Sequence, residues 1–201
     1  DTCVVTVNET ETPVTPPSDE SGYTLVTNTS QLVDGASVVM VSRSKSVIAG
    51  NLSSQYLSSV SFADLKADTT SFTSVPGGAI EFTLESSSNS WMFKNGDSYL
   101  GATAEKKLSF GLGTTTWNIS INSNLATVQS TTSSYGRFLY NVDFPRFTTY
   151  TSSTSNKMLL IELFVKASDS NTEEPPVTPE EPEPTPTLEG VSLSTTKDTY
   201  E

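Results

Sequence analysis

The chain has no histidine, one cysteine, and 11 basic residues among 201. Without histidine, neither a Ser/His nor a Cys/His nucleophile pair can be assembled, and no Lys/Ser signature stands in for them. Cys3 has no second cysteine to bridge to, so no disulfide staples the chain, and no Cys/His metal centre can be built. No apolar run approaches the roughly 18 to 20 residues needed for a membrane-crossing helix. The chain opens without Met and without a charged-then-apolar leader, so export is expected to be directed by sequence outside this segment.

What the chain does have is two Pro- and acid-rich strings, TETPVTPPSDESG and SDSNTEEPPVTPEEPEPTPTLEG, on either side of one stretch of ordinary globular composition. Such strings lack the apolar surface that would offset ordering entropy, and residues 10–21 and 168–188 are therefore expected to be extended linkers. The formal charge of −12 belongs to these flanks. Between Gly22 and Ala167 nine acids face ten bases, so the central domain is close to neutral. It lacks the basic footprint of a nucleic-acid binder, and no nucleic-acid partner is expected.

Gly22 to Ala167 is long enough for one domain with its own core. Its apolar runs are short, alternating and rich in Val, Thr, Ile, Tyr and Phe, with Ser, Thr, Asn and Gly between them, which is β vocabulary. Strands are expected at 23–27, 37–42, 46–49, 80–85, 90–94, 99–102, 115–121, 125–130, 137–140, 146–150 and 158–165. Helical hints are confined to a turn at Ser30 to Val33 and a brief helix around Ser59 to Asp68, with Ser61 as its cap. Asn95-Gly96 between two strands predicts a type I′ hairpin turn.

A weak internal repeat runs through the strands. SVVMVS, KSVIAG and AIEFTLE form one unit; SWMFK, SYLGA and TTWNISI a second; LATVQS, RFLYN and MLLIELF a third. Taking Ile48, Leu100 and Leu139 as equivalent, and Phe82, Trp117 and Leu160 as closing-strand anchors, gives three units of similar length, the first carrying an insertion before PGG. This predicts an all-β fold, a β-trefoil-like barrel with a pseudo-threefold repeat, the alternative being a β-sandwich.

These same runs, from GYTLVTNTSQLVDGASVVMVS to the closing MLLIELF, resemble the β-rich accessory domain of secreted multidomain proteins of gut and environmental bacteria, which accompanies Ig-like repeats or extracellular nucleases. At the edges, DTCVVTVNET (1–9 within it) resembles the end of a bacterial Ig-like (group 2) repeat, and the residues of 189–201 resemble the first strand of another. The resemblance implies an extracellular or cell-surface location and a monomeric module within a longer chain.

Catalytic and cofactor signatures are weak. Glu81 and Glu85 share a strand face on the order of 13 Å apart, beyond the roughly 5 to 9.5 Å of paired glycosidase carboxylates. Gly77-Gly78 lacks the Lys-Ser/Thr of a phosphate loop, and Asp97 is explained by turn chemistry. No enzyme activity, cofactor or metal is expected. Trp91, Phe93, Tyr99 and Trp117 are expected to face inward. A sugar site would combine one ring with hydrogen-bonding groups, and Arg137, Tyr140, Asn141 and Asp143 offer that set within seven residues. Gln31, Gln55 and Gln129 are not followed by the x-Trp of ricin-like trefoils. The expected function is non-catalytic binding of a glycan or other surface ligand; the alternatives are a purely structural spacer and an accessory domain of an extracellular nuclease or glycosidase.

Overall fold

A computed structural model describes residues 22–166. The linkers at 10–21 and 168–188 and the Ig-like fragments at 1–9 and 189–201 lie outside the described residues. Fifteen strands make up the architecture: β1 (Tyr23–Leu25), β2 (Ser37–Ser42), β3 (Val47–Ser53), β4 (Tyr56–Ser61), β5 (Ser71–Phe72), β6 (Phe82–Ser87), β7 (Ser90–Asn95), β8 (Ser98–Ala104), β9 (Lys107–Phe110), β10 (Trp117–Asn122), β11 (Leu125–Ser130), β12 (Arg137–Asn141), β13 (Arg146–Tyr150), β14 (Met158–Leu159) and β15 (Glu162–Lys166). Every pairing is antiparallel, and the described residues contain no α-helix, only three short 3-10 turns. The fold is all-β. None of these elements is a helix long and apolar enough to cross a membrane.

The expected helix around Ser59 to Asp68 is replaced by β4, which pairs with β3 on one side and β13 on the other, followed by turns. Tertiary pairing overrides a weak local preference here. The Ser30 turn is present as a 3-10 turn at Thr29–Gln31, capped by the Asn28 side chain and closed by Gln31 reaching back to the Asn28 amide.

Six strands pair in a path that returns to its start. β2 pairs with β6, β6 with β7, β7 with β10, β10 with β11, β11 with β15 through the bridge Ala126–Ile161, and β15 with β2. The register recurs along this path. Val38 faces Phe82, Trp91 faces Trp117, and Ala126 faces Ile161. The residues four positions further on, Ser86, Ile121 and Val165, face Trp91, Ala126 and Val38 in turn. Three hairpins branch from the path: β3–β4, β8–β9 and β12–β13. They also meet one another. Leu57 faces Phe147, the Leu108 amide donates to the Gln55 carbonyl at 2.9 Å, and the Lys106 amide donates to the Thr149 carbonyl at 3.0 Å.

These registers correct two equivalences drawn from the sequence. The position matching Phe82 and Trp117 is Ile161, which is fully buried, while Leu160 is only half-buried. On the hairpin side, Ile48, Tyr99 and Arg137 face Val41, Lys94 and Gln129, so Leu100 and Leu139 are displaced by one and two residues from their expected places. The Asn95-Gly96 turn also shifts by one. Asn95 already pairs with Ser98, so Gly96 (φ 57°) and Asp97 form the loop, with positive φ only at the first position as in a type II′ turn. Positive φ at both central positions is found instead at Ser123 and Asn124, between β10 and β11.

Inside the path lies the main core, in which Phe82, Phe93, Trp117 and Phe138 form a chain of ring contacts. Trp117 is fully buried, and its indole N–H donates to the Leu100 carbonyl at 3.0 Å, tying β10 to β8. Aromatic pairs of this kind add about 0.5–1.5 kcal/mol beyond area burial. A second cluster covers the outer face of β2 and β15: Tyr23, Leu25, Phe62, Leu65 and Phe72 pack on Val39, Val41, Ile48 and Phe164. The first-unit insertion is thus a lid with its own apolar contents.

One ion pair fastens that lid. Glu162 of β15, 6% exposed, accepts from the Arg43 backbone amide at 3.2 Å and from Arg43 Nε at 3.3 Å, while Arg43 Nη1 donates to the Thr69 carbonyl at 3.0 Å. Burial pushes the Glu162 carboxyl above its ordinary value of 4.5, against the pull of Arg43. A raised carboxyl binds more protons folded than unfolded, so this group's contribution to stability declines as pH rises from about 4.5 through the raised value. Replacing Arg43 removes the compensating charge and enlarges that decline. Arg43→Met should therefore lower unfolding free energy in urea by about 3–5 kcal/mol at pH 7. At pH 4 the loss should be markedly smaller; equal losses at both pH values would show that the carboxylate is not held in this buried pair.

Candidate functional site

The four residues nominated from the sequence occupy β12 and the turn after it, and the structure does not gather them on one surface. Tyr140 is 4% exposed and lies in the main core, its ring 4.9 Å from that of Phe147, so it offers no stacking face. Asn141 is buried on the opposite strand face, donating to the Tyr150 hydroxyl at 3.0 Å and accepting from the Phe144 amide at 3.1 Å. Asp143 is exposed and paired with Lys157 at 2.9 Å. Arg137 stands at the far end of β12, on the order of 13 Å from Asn141 along the strand, and donates to the Ser152 carbonyl at 3.2 Å. Alternation explains the split: Phe138, Tyr140 and Phe147 face the core, and Arg137, Asn141, Arg146 and Tyr150 face away from it.

A different group is assembled where the hairpins meet. The β3–β4 and β8–β9 hairpins close with two-residue loops, Ser54–Gln55 and Glu105–Lys106. The β12–β13 loop is longer, Val142 to Pro145, and it carries Phe144 out to 65% exposure. Beside it, the Arg146 guanidinium carbon sits 5.6 Å from the Phe144 ring centre and 5.2 Å from that of Tyr56. Arg146 Nε donates to the Tyr150 hydroxyl at 3.3 Å. Arg146 faces Ser58 across the β13–β4 ladder, which puts Tyr56, two residues back, on the same face as a diagonal neighbour. The Tyr150 ring in turn has Lys106 over it at 5.6 Å.

Two polar groups beneath this cluster are incompletely satisfied. Thr148, 1% exposed, lies between Arg146 and Tyr150 on the same strand face, and its Oγ1 has no partner among the described residues. The Tyr150 hydroxyl receives two donors, Asn141 Nδ2 and Arg146 Nε, which leaves its own proton without an acceptor among the described residues. The terminal nitrogens of Arg146 likewise have no partner among the described residues. Sequence reasoning gave Arg146 no role. The only signal was local: an aromatic two residues before an arginine in a Pro-containing turn.

A further polar group involves Glu85, which accepts from Lys94 Nζ at 2.9 Å and from the Tyr99 hydroxyl at 2.7 Å. The hydrogen bond from Lys94, then that from Tyr99, holds the Glu85 carboxyl below its ordinary range and raises the Lys94 ammonium and the Tyr99 phenol above theirs. Tyr99 is therefore only half-buried, unlike the expected inward ring. Each member of this trio answers another, so it reads as a strand-to-strand tie. Glu81 is exposed and separate from it. The described residues hold no group of three or more His, Cys, Asp or Glu that could bind a metal.

No family model matches the chain, and no curated protein matches it.

The contrast between Tyr140 and Asp143 is measurable. Tyr140→Ala should cost about 3–5 kcal/mol of unfolding free energy, as a buried aromatic truncation, whereas Asp143→Ala should stay within about 0.5 kcal/mol, as an exposed pair. Chemical denaturation of the two variants checks this. A Tyr140→Ala protein as stable as the parent would contradict the core placement.

Proposed function

We propose that the described domain is a β-trefoil-like, non-catalytic binding module of a secreted or surface-displayed bacterial protein, and that its ligand is a glycan. The trefoil reading is supported by the six-strand path that returns to β2, by the threefold recurrence of its four-residue register, and by the three hairpins that branch from it and contact one another. The functional reading is supported above all by one departure from that repetition. The third hairpin is lengthened, and the extra residues present Phe144 beside Arg146 and Tyr56.

A half-exposed ring next to hydrogen-bond donors is how a shallow sugar site is built: the apolar face of a pyranose lies on the ring and its hydroxyls meet the polar groups. The absence of histidine from the sequence and the lack of any nucleophile-base signature favour binding over catalysis. The Asp143–Lys157 pair and the burial of Tyr140 favour the second reading, a structural spacer whose surface groups satisfy one another.

Screening the full chain against an array of neutral and acidic glycans separates the two. The binding reading predicts saturable, weak binding of about −4 to −6 kcal/mol, strengthened when copies are displayed together and reduced in Phe144→Ala. A spacer would give no saturable signal with any glycan.

A further inference from the structure

We propose that the surface formed by Tyr56, Phe144 and Arg146 takes a carboxylate-bearing sugar, a uronic acid or a related acidic glycan, with Arg146 as the residue that reads the carboxylate. The inference rests on the glycan-binding reading and narrows its ligand. Arg146 is a fixed fork. Its guanidinium is flanked by two rings, at 5.2 and 5.6 Å from their centres, and Nε is engaged by the Tyr150 hydroxyl, which leaves the terminal nitrogens as the unpartnered edge.

A guanidinium prearranged in this way loses little rotamer freedom on binding, and its planar pair of donors matches a carboxylate bidentately. Among the described residues no acidic side chain pairs with it. The nearest acid in sequence, Asp143, is engaged by Lys157, and Glu105 accepts from the Thr151 amide at 3.1 Å. The site thus keeps a net positive charge beside an exposed ring, a combination that a neutral sugar does not use fully. A planar carboxylate on a pyranose uses both, the acid against Arg146 and the ring face against Phe144. Beneath them, Thr148 Oγ1 and the Tyr150 hydroxyl proton supply an acceptor and a donor that nothing in the described structure satisfies. Both lie buried on the strand face that carries Arg146, so a bridging water beneath the ligand has partners there.

The test is titration of the full chain with an oligogalacturonide and with the same oligosaccharide after its carboxyl groups have been reduced to alcohols. The acid should bind saturably, and the reduced form should bind about tenfold more weakly or worse, the ratio expected for losing a charge-assisted hydrogen bond. Arg146→Lys, which keeps the charge and loses the fork, should weaken the acid by a similar factor. Phe144→Ala, at an exposed position that does not support the core, should weaken both oligosaccharides. Lys45→Gln, an exposed cation elsewhere, should change neither. Equal affinity for the acid and its reduced form, or an unchanged Arg146→Lys protein, would overturn the carboxylate assignment while leaving glycan binding in place. Failure of both oligosaccharides, together with saturable binding of neutral glycans elsewhere on the array, would overturn this site alone. No binding of any saccharide would overturn both readings.

Discussion

A single backbone hydrogen bond, from the Ala126 amide to the Ile161 carbonyl at 2.8 Å, joins β11 to β15. Four of the other five links are ladders of two or more register pairs and the β7–β10 link is the single pair Trp91–Trp117, whereas this one is an isolated bridge; without it β11 would still pair with β12 through Gln129 and Arg137, but its Ala126 end would be open on that side. Small Ala126 faces Ile161 here, where the corresponding pairs along the path are Val38 with Phe82 and Trp91 with Trp117. All six positions face one core, so side-chain volumes have to compensate around it.

The outer face of β15 shows how the molecule handles a strand that is buried twice. Ile161 and Leu163 belong to the main core, Phe164 to the cluster under the first-unit insertion, and Glu162 points to the same outer side, where Arg43 meets it. The ion pair costs desolvation, and its compensation lies in specificity: Arg43 holds the turn after β2 and the Thr69 carbonyl of the insertion in one geometry. The lid in turn shields β15, whose register the bridge to Ala126 requires. Function, in the proposed reading, is placed at the opposite extreme. The third hairpin carries four loop residues where its counterparts carry two, and that surplus takes no part in closing the path.

The all-β character could be read from the sequence, because alternating β-branched and aromatic runs between Ser/Asn/Gly turns leave few other fold classes open. Strand β13 was legible at its observed limits, while β4 and β9 were not: YLSSVS and KLSF carry too few apolar residues to announce strands, although each closes a hairpin with the strand just before it. Parity failed where it carries least information. In MLLIELF both faces are apolar because both are covered, so nothing in the run says that Ile161 rather than Leu160 matches Trp117, and a slip of one residue exchanges the faces. The same ambiguity governed the site. RFLYN offers a Tyr and an Asn at adjacent positions, but adjacent residues on a strand point apart, and only the pairing with β13 and the core shows that Tyr140 is the inward one. Arg146 became visible only through Tyr56, a partner ninety residues earlier that no local pattern connects to it.

Native-state hydrogen exchange at the Ala126 amide tests the closed path most directly. If β11 and β15 are joined as described, this amide should exchange only through global unfolding, with the same free energy as the Leu84 amide that donates to the Ala36 carbonyl. Exchange of the Ala126 amide at the rate of a frayed edge, while the Leu84 amide stays protected, would contradict closure of this path.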